Sequence, residues 1–230
     1  MSTPVLLLVA HGTRDPRGVT EARRLAAALG DRGVPVRLAF ADVLGPTVSE
    51  VLREIDGPAV LVPAFFAAGF HVRTDVPAEV ASSGHLQVSV TPALGPDLAL
   101  ASVQHVRLQE AGWQPGDAVV LAAVGSSEAR ALADVRVAAE LLSGVLDAPV
   151  DVGYAVSAEP RVGEVVARLR ADGASRVVIS PYMLAPGLFH TRLSEAGADV
   201  VAAALGVHPL LVDLGLQRYR VGLTTAGLRT

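Results

Sequence analysis

The sequence predicts an α/β protein made of two similar halves, each a parallel sheet of about four strands flanked by helices. Short apolar runs alternate with amphipathic stretches along all 230 residues, which is typical of parallel sheets with helices on both faces. Motifs from the first half recur about 115 residues later. Hydrophobic residues make up 51% of the chain and aromatic residues only 4%, so the predicted core consists mainly of Ala, Val and Leu.

Eight apolar runs have the length of strands. The first is apolar at every position, which indicates a strand buried on both faces in the middle of a sheet. In chain order, the predicted strands are Val5–Ala10, Val36–Phe40, Ala59–Pro63, Leu86–Thr91, Ala118–Val124, Val150–Ala155, Arg176–Pro181 and Gly206–Val212.

The stretches between these runs predict seven helices. In the first, Leu25 and Leu29 line one face while Arg23 and Arg24 lie outside it. In chain order, the predicted helices are Val19–Leu29, Pro46–Ile55, Val76–Ser82, Asp97–Ala111, Glu128–Leu142, Arg161–Ala171 and Thr191–Leu205.

The internal repeat divides the chain into a half at 1–113 and a half at 114–230. Pro63–His71 resembles Pro181–His190, and the turn-rich segment 112–117 contains the predicted break. Comparison of the two halves distinguishes residues that the fold requires from residues that could have a chemical role. His11 has no counterpart, since Val124 stands in its place, so the second half is degenerate at the first histidine.

Composition and motifs exclude several classes of function. A net charge of −4 argues against a nucleic-acid partner, and the lack of cysteine excludes disulfides, thiolate metal sites and a cysteine nucleophile. Neither phosphate-binding glycine loops nor a Gly-x-Ser-x-Gly motif occur. The sequence shows neither a signal segment nor a membrane span, so we expect a cytoplasmic protein without a membrane partner.

His11 directly follows the first strand, at the carboxyl edge of the predicted sheet, where open α/β sheets bind their ligands. Gly12 allows a sharp turn there. Two interpretations are open: a structural histidine bonded to a backbone carbonyl, or a functional one. His71 follows the third strand and Asp42 the second, and two imidazoles with one carboxylate suit a borderline divalent ion. Asp42 also lies close to a helix start, where a capping role would be ordinary.

The loop before His71 contains three of the five phenylalanines, Phe65, Phe66 and Phe70. They can line a pocket for a flat apolar ligand or pack against the next helix. Arg73 and Asp75 are expected to cap that helix, although Arg73 can also meet an anionic ligand. The other histidines carry weaker signals. His190 either faces the cleft from the second half or caps a helix, and structural or surface roles are expected for His85, His105 and His208.

Four segments together resemble the sirohydrochlorin chelatases, the class II tetrapyrrole chelatases of cobalamin and sirohaem biosynthesis, in a fused two-half form. The segments are Leu8–Pro16, Val62–Pro77, Val90–Gly95 and Pro181–His190. The resemblance implies a flavodoxin-like layering and insertion of a divalent metal ion into sirohydrochlorin. The metal is a substrate, with Co²⁺ narrowly favoured over Fe²⁺, and no organic cofactor is expected.

The resemblance also implies roles for individual residues. His11 and His71 are the expected catalytic histidines, delivering the metal and accepting pyrrole protons, and Asp42 completes the metal ligands where the family often has glutamate. The phenylalanines would hold the ring, and Arg14, Arg17 and Arg73 would meet its carboxylates.

Two further interpretations of the function are open. The fold is also compatible with a non-catalytic carrier of a tetrapyrrole or metal, or with a sugar- or nucleotide-binding module. Because the fused form already supplies two halves, a monomer is expected.

Overall fold

The apolar runs form two parallel sheets of four strands each in the computed structural model, which describes residues 3–227. The strand orders are β2-β1-β3-β4 and β6-β5-β7-β8, and each sheet is flanked by helices. The predicted fold class is therefore confirmed. The sheets belong to two compact units, one spanning Gly95–Leu210 and one formed by the described residues up to Leu94 together with those from Leu211 onward.

The first unit contains strands β1 to β4. Its strands and helices are β1 (Val5–Ala10), α1 (Pro16–Gly30), β2 (Val36–Phe40), α2 (Val48–Arg53), β3 (Ala59–Pro63), a π-helical turn (His71–Asp75), α3 (Val76–Ser83), β4 (Val88–Val90) and the C-terminal helix α8 (Pro209–Thr225).

The second unit repeats this order of strands. Its strands and helices are α4 (Leu98–Glu110), β5 (Ala118–Ala123), α5 (Ala129–Leu146), β6 (Val150–Tyr154), α6 (Val162–Ala171), β7 (Val177–Pro181), α7 (Leu188–Leu193) and β8 (Val200–Val201).

The middle strands of each sheet are its most buried part. Every residue of β3 and β7 is buried, while β2, at an edge of its sheet, exposes Arg37. Continuous apolar runs thus mark strands covered on both faces. None of the helices formed by residues 3–227 is long and apolar enough to span a membrane.

The predictions for the C-terminal region are wrong in two places. Gly206–Val212 is not a strand, because Pro209 opens α8, whose buried Val212, Leu216, Tyr219 and Leu223 recur at helical spacing. Thr191–Leu205 is not one helix either. Only α7 is helical there, and β8 comes after it and pairs with β7.

The compact units differ from the sequence halves 1–113 and 114–230 in their final helices. Helix α4 follows the first sheet in sequence but packs in the second unit, where Gln104 Nε2 donates to Ser180 Oγ at 2.9 Å. Helix α8 packs in the first unit, where the Tyr219 hydroxyl donates to the Pro4 carbonyl at 2.6 Å. Each sheet is therefore completed by a helix that belongs to the other sequence half.

We expect Gly222→Ala to destabilise the fold, because α8 approaches β3 closely at Gly222. An added Cβ would lie 2.3 Å from Val60 Cγ1 and 2.9 Å from Thr91 Cγ2. Overpacking of this kind costs about 1–3 kcal/mol, and the gain in helix propensity is about 1 kcal/mol at most. Urea unfolding should show a net loss of stability. Gly144→Ala in α5 is the control, since its added Cβ meets no atom within 4 Å; equal stability changes in the two variants would contradict the packing argument.

Candidate metal centre

The first three strands end side by side at the carboxyl edge of the first sheet. Strand β1 pairs with β2 on one side and with β3 on the other, with Ala10 opposite Phe40 and Val9 opposite Pro63. In the order β2-β1-β3-β4, the chain adds β2 on one side of β1 and then β3 on the other. The direction in which strands are added therefore reverses between β1 and β3, although all strands run parallel. Ligands bind outside the carboxyl ends of strands at such a reversal, so the loops after these strands are the natural place for a site.

Gly12 brings the loop after β1 against the loop after β2. Its φ is +88°, and a Cβ there would lie 2.0 Å from the carbonyl oxygen of Asp42. The backbone N–H of Asp42 donates to the carbonyl of His11 at 3.0 Å. Only glycine allows both the backbone conformation and this close approach. The contact therefore sets His11 and Asp42 beside each other.

His11, Asp42 and His71 form a set of candidate metal ligands. Their ligand atoms all lie within 4.8 Å of one another, and the two imidazole centroids are 4.4 Å apart. His11 and Asp42 are exposed and His71 is partly buried. One ion at about 2.1 Å from each donor needs donors no more than about 4.2 Å apart, so at most small movements are required. The three side chains predicted from sequence to be ligands thus lie together.

A strained turn presents Asp42. The N–H of Leu44 donates to the carbonyl of Asp42 at 2.8 Å, and Val43 has a φ of +68°. This is a γ-turn in a conformation that is costly for a β-branched residue. The N–H of Val43 also donates to Asp42 Oδ1 at 2.7 Å, which leaves Oδ2 for an ion. Asp42 does not cap the next helix, because Thr47 Oγ1 accepts the N–H of Glu50 in that role.

His71 opens the π-helical turn that leads into α3. Its Nδ1 donates to Asp75 Oδ2 at 2.6 Å. Asp75 stands at the N-cap position of α3, but its side chain makes no capping hydrogen bond, so the capping role expected for it is wrong. Sequence analysis missed this pair. The only signal for it was the spacing of four residues, which places two side chains of a helical turn on one face.

The three phenylalanines of the loop have different environments. Phe70 is 51% exposed, with its ring centroid 6.2 Å from that of His71. Phe65 lies 6.0 Å from the His11 ring and packs against the core. Phe66 is only 9% exposed, so it presents little surface to a ligand. Packing therefore accounts for Phe66, while Phe65 and Phe70 flank the two imidazoles.

Arginines flank the candidate ligands in sequence. Arg14 and Arg73 are exposed, and within residues 3–227 neither forms an ion pair. Arg17, by contrast, is paired with Asp15, with Nη2 and Oδ2 2.7 Å apart. Hydrogen bonding to Arg17 lowers the pKa of Asp15, which caps α1 through the N–H of Arg17. The expected role of Arg17 toward an anionic ligand is therefore less favourable than that of Arg14 or Arg73.

The second unit keeps the local backbone but not the ligands. The N–H of Val156 donates to the carbonyl of Val124 at 3.0 Å, which matches the bond between Asp42 and His11. Valine thus replaces two of the three candidate ligands. His190, the counterpart of His71, donates from Nε2 to the Ala202 carbonyl at 3.1 Å. The fold therefore forms without the ligand set.

The remaining histidines have local roles. His85 Nε2 donates to the Ile55 carbonyl at 3.1 Å, and His208 Nδ1 accepts the N–H of Leu210 at 3.2 Å. His105 contacts Trp113 edge-on, with centroids 5.9 Å apart. A shallow cleft of about 410 Å³ lies between α1 and the start of β2, but no histidine or carboxylate lines it.

Comparison with known proteins gives a family match over both halves. The profile of the CbiX family matches residues 5–111 and 118–221. A sirohydrochlorin cobaltochelatase of Priestia megaterium is 25% identical over an alignment covering 95% of this chain and 79% of that protein. The resemblance to the chelatase family that the sequence motifs indicated is confirmed.

Solved structures share the fold. SirB from Bacillus subtilis with Fe³⁺ has a TM-score of 0.84 at 21% identity, with 98% of each chain covered. The sirohydrochlorin chelatase SirB from Bacillus subtilis subspecies spizizenii, in complex with cobalt, has a TM-score of 0.80 at 20% identity, with 97% of each chain covered. At these identities the likeness concerns the fold.

We expect Gly12→Ala to disrupt the candidate metal centre. The added Cβ would collide with the Asp42 carbonyl, so the two loops must separate and metal affinity should fall by at least about tenfold. Gly33→Ala is the matched control, because Gly33 has a similar φ of +82° but no atom within 4 Å of the added Cβ. Calorimetric titration with Co²⁺, alongside thermal unfolding, separates the two effects. Equal Co²⁺ affinities in both variants would show that the contact does not organise the site.

Proposed function

The chain belongs to the CbiX family, and we propose that it is a sirohydrochlorin chelatase that inserts a divalent metal ion into its tetrapyrrole substrate. The observation that carries the proposal is the set of His11, Asp42 and His71 at the carboxyl edge of the first sheet. The relative from Priestia megaterium, named a sirohydrochlorin cobaltochelatase, supports the same substrate.

The surroundings of the ligand set suit such a substrate. Sirohydrochlorin has a flat apolar ring and many carboxylates at its rim. The exposed face of Phe70, with Phe65 beside it, offers apolar contact to the ring. Arg14 and Arg73 are exposed, and each guanidinium can pair with a rim carboxylate in a bidentate manner.

The reaction exchanges two protons for one ion. As the metal enters the ring, two pyrrole N–H bonds break and four nitrogens bind the metal. His11 and His71 hold the ion with Asp42, release it to the ring and accept the protons as neutral imidazoles. Exposed ligands suit this task, because a closed tetrahedral site would retain the metal.

Co²⁺ is our preferred metal over Fe²⁺, by a narrow margin. Imidazole and carboxylate ligands accept both ions, so the ligand set does not decide between them. The name of the Priestia megaterium relative, a cobaltochelatase, supports cobalt. The product would enter cobalamin or sirohaem biosynthesis. We further propose that the protein acts in the cytoplasm as a monomer, since one chain carries both sheets.

The direct test is anaerobic incubation of the protein with sirohydrochlorin and either Co²⁺ or Fe²⁺, monitored by absorbance spectroscopy. Metal insertion should change the tetrapyrrole spectrum faster than in a mixture without protein. A rate equal to that of the control would overturn the enzymatic proposal. Spectral binding without insertion would instead identify a tetrapyrrole carrier.

His11→Ala and His71→Ala should each reduce turnover by about 100-fold or more, because each removes a metal ligand and a proton acceptor. Their melting temperatures should stay nearly unchanged, since His11 is exposed and valine replaces it in the second unit, while His71 is only partly buried. His190→Ala is the control: we expect a much smaller loss of turnover, because His190 bonds a backbone carbonyl. Unfolding of either site variant would reveal a structural histidine.

The role of Asp42 can be tested by changing the charge and the length of its side chain. Asp42→Ala should reduce turnover by about tenfold, because it removes one of the three proposed metal ligands and leaves the two imidazoles. Asp42→Glu should keep most of the turnover, since the longer side chain retains a carboxylate at the exposed end of β2. Initial rates with Co²⁺ measure both effects. Equal losses in the two variants would mean that Asp42 is not used as a ligand.

A further inference from the structure

We propose that Asp75 is a positioning residue that selects the ring tautomer of His71 and so presents one nitrogen to the metal. The inference rests on the proposed function, because it assumes that His71 binds the ion. It adds to the ligand set a residue that does not itself touch the metal. Three observations support it: the hydrogen bond of Asp75, the anchoring of α3, and the contrast with the second unit.

The hydrogen bond between the two side chains dictates where the ring proton lies. Asp75 Oδ2 is 2.6 Å from His71 Nδ1, a short distance that favours a bond to a charged acceptor. An ionised carboxylate can only accept, so Nδ1 carries the proton and Nε2 of the neutral ring keeps its lone pair. Metal-binding histidines generally donate the other ring N–H to such a partner, which fixes the ring orientation. His71 is therefore prepared to bind through Nε2.

Asp75 directly precedes a helix that is anchored in the core, whereas His71 lies directly after a loop. Val76, the next residue, has no exposed surface and belongs to the core. Helix α3 is tied to α2 by Glu79, whose carboxylate accepts the N–H of Ser49 at 3.0 Å. Hydrogen bonding to Ser49 lowers the pKa of Glu79, so the Glu79 carboxylate is ionised at neutral pH and this hydrogen bond is charge-assisted. Through its hydrogen bond, Asp75 can thus fix the orientation of the His71 imidazole relative to α3.

The second unit holds its histidine in the opposite way. His190 donates from Nε2 to the Ala202 carbonyl, so its free lone pair is on Nδ1. The residue four positions later is Ser194 rather than a carboxylate. The tautomer with an unprotonated Nε2 therefore occurs in the unit that also carries the other two candidate ligands.

The first test measures the tautomers directly, by two-dimensional NMR that correlates ring protons with ring nitrogens in the metal-free protein. We expect His71 with a protonated Nδ1 and His190 with a protonated Nε2 in the same spectrum. Asp75→Ala should move His71 to a mixture, while His190 stays unchanged. Asp75→Glu should restore the preference, because it keeps the carboxylate. An unchanged His71 tautomer in Asp75→Ala would overturn the proposal.

The second test measures binding of Co²⁺ alone, without tetrapyrrole. Asp75→Ala should weaken binding by about tenfold or more, and Asp75→Glu should recover most of the loss. Asp75→Asn, which keeps the side-chain shape but not the charge, replaces the alanine variant if that one does not fold. Asp56→Ala removes an exposed carboxylate elsewhere in the same unit and should leave Co²⁺ binding unchanged.

His71→Ala separates the two proposals. If His71→Ala weakens Co²⁺ binding and Asp75→Ala does not, the role of Asp75 is wrong and the proposed metal site stands. If His71→Ala itself leaves binding unchanged, the metal role of His71 in the proposed function fails, and the role of Asp75 fails with it.

Discussion

The close approach of Gly12 to the backbone of Asp42 is the constraint on which the candidate site depends. It joins the ends of β1 and β2, and the pairing of β1 with β3 brings the loop of His71 to the same edge. A side chain at position 12 would push the first two loops apart. The missing Cβ at Gly12 therefore brings the first two candidate ligands together, and strand pairing adds the third at the same edge.

The internal repeat separates what the fold needs from what the chemistry needs. The second sheet has the same strand order and the same backbone bond after its first two strands, yet Val124 and Val156 stand where His11 and Asp42 do. Valine satisfies the packing there, so the polar residues of the first unit are not required for folding. The polar residues at these positions therefore fit the metal-binding role that we propose for the first unit.

Sequence patterns predicted the middle strands of each sheet well, and they placed the three candidate ligands at neighbouring strand ends. Continuous apolar runs identify strands buried on both faces, so β1 and β3 match their predicted bounds. The short run at Val212 was ambiguous, because an apolar run of that length fits both a strand and a segment of a buried helix. The pairing of Asp75 with His71 and of Arg17 with Asp15 depends on side-chain geometry, which sequence spacing alone does not determine.

The site combines exposed ligands with ordered supports, and a chelatase requires both. A metal that must be handed on needs few ligands and an open side, and here His11 and Asp42 are exposed. Few ligands bind weakly unless their orientation is set beforehand. The strained turn at Val43 orients Asp42, and the bond to Asp75 orients His71. Ordered orientation of the ligands can therefore compensate for their small number, so that the proposed site would hold a metal without trapping it.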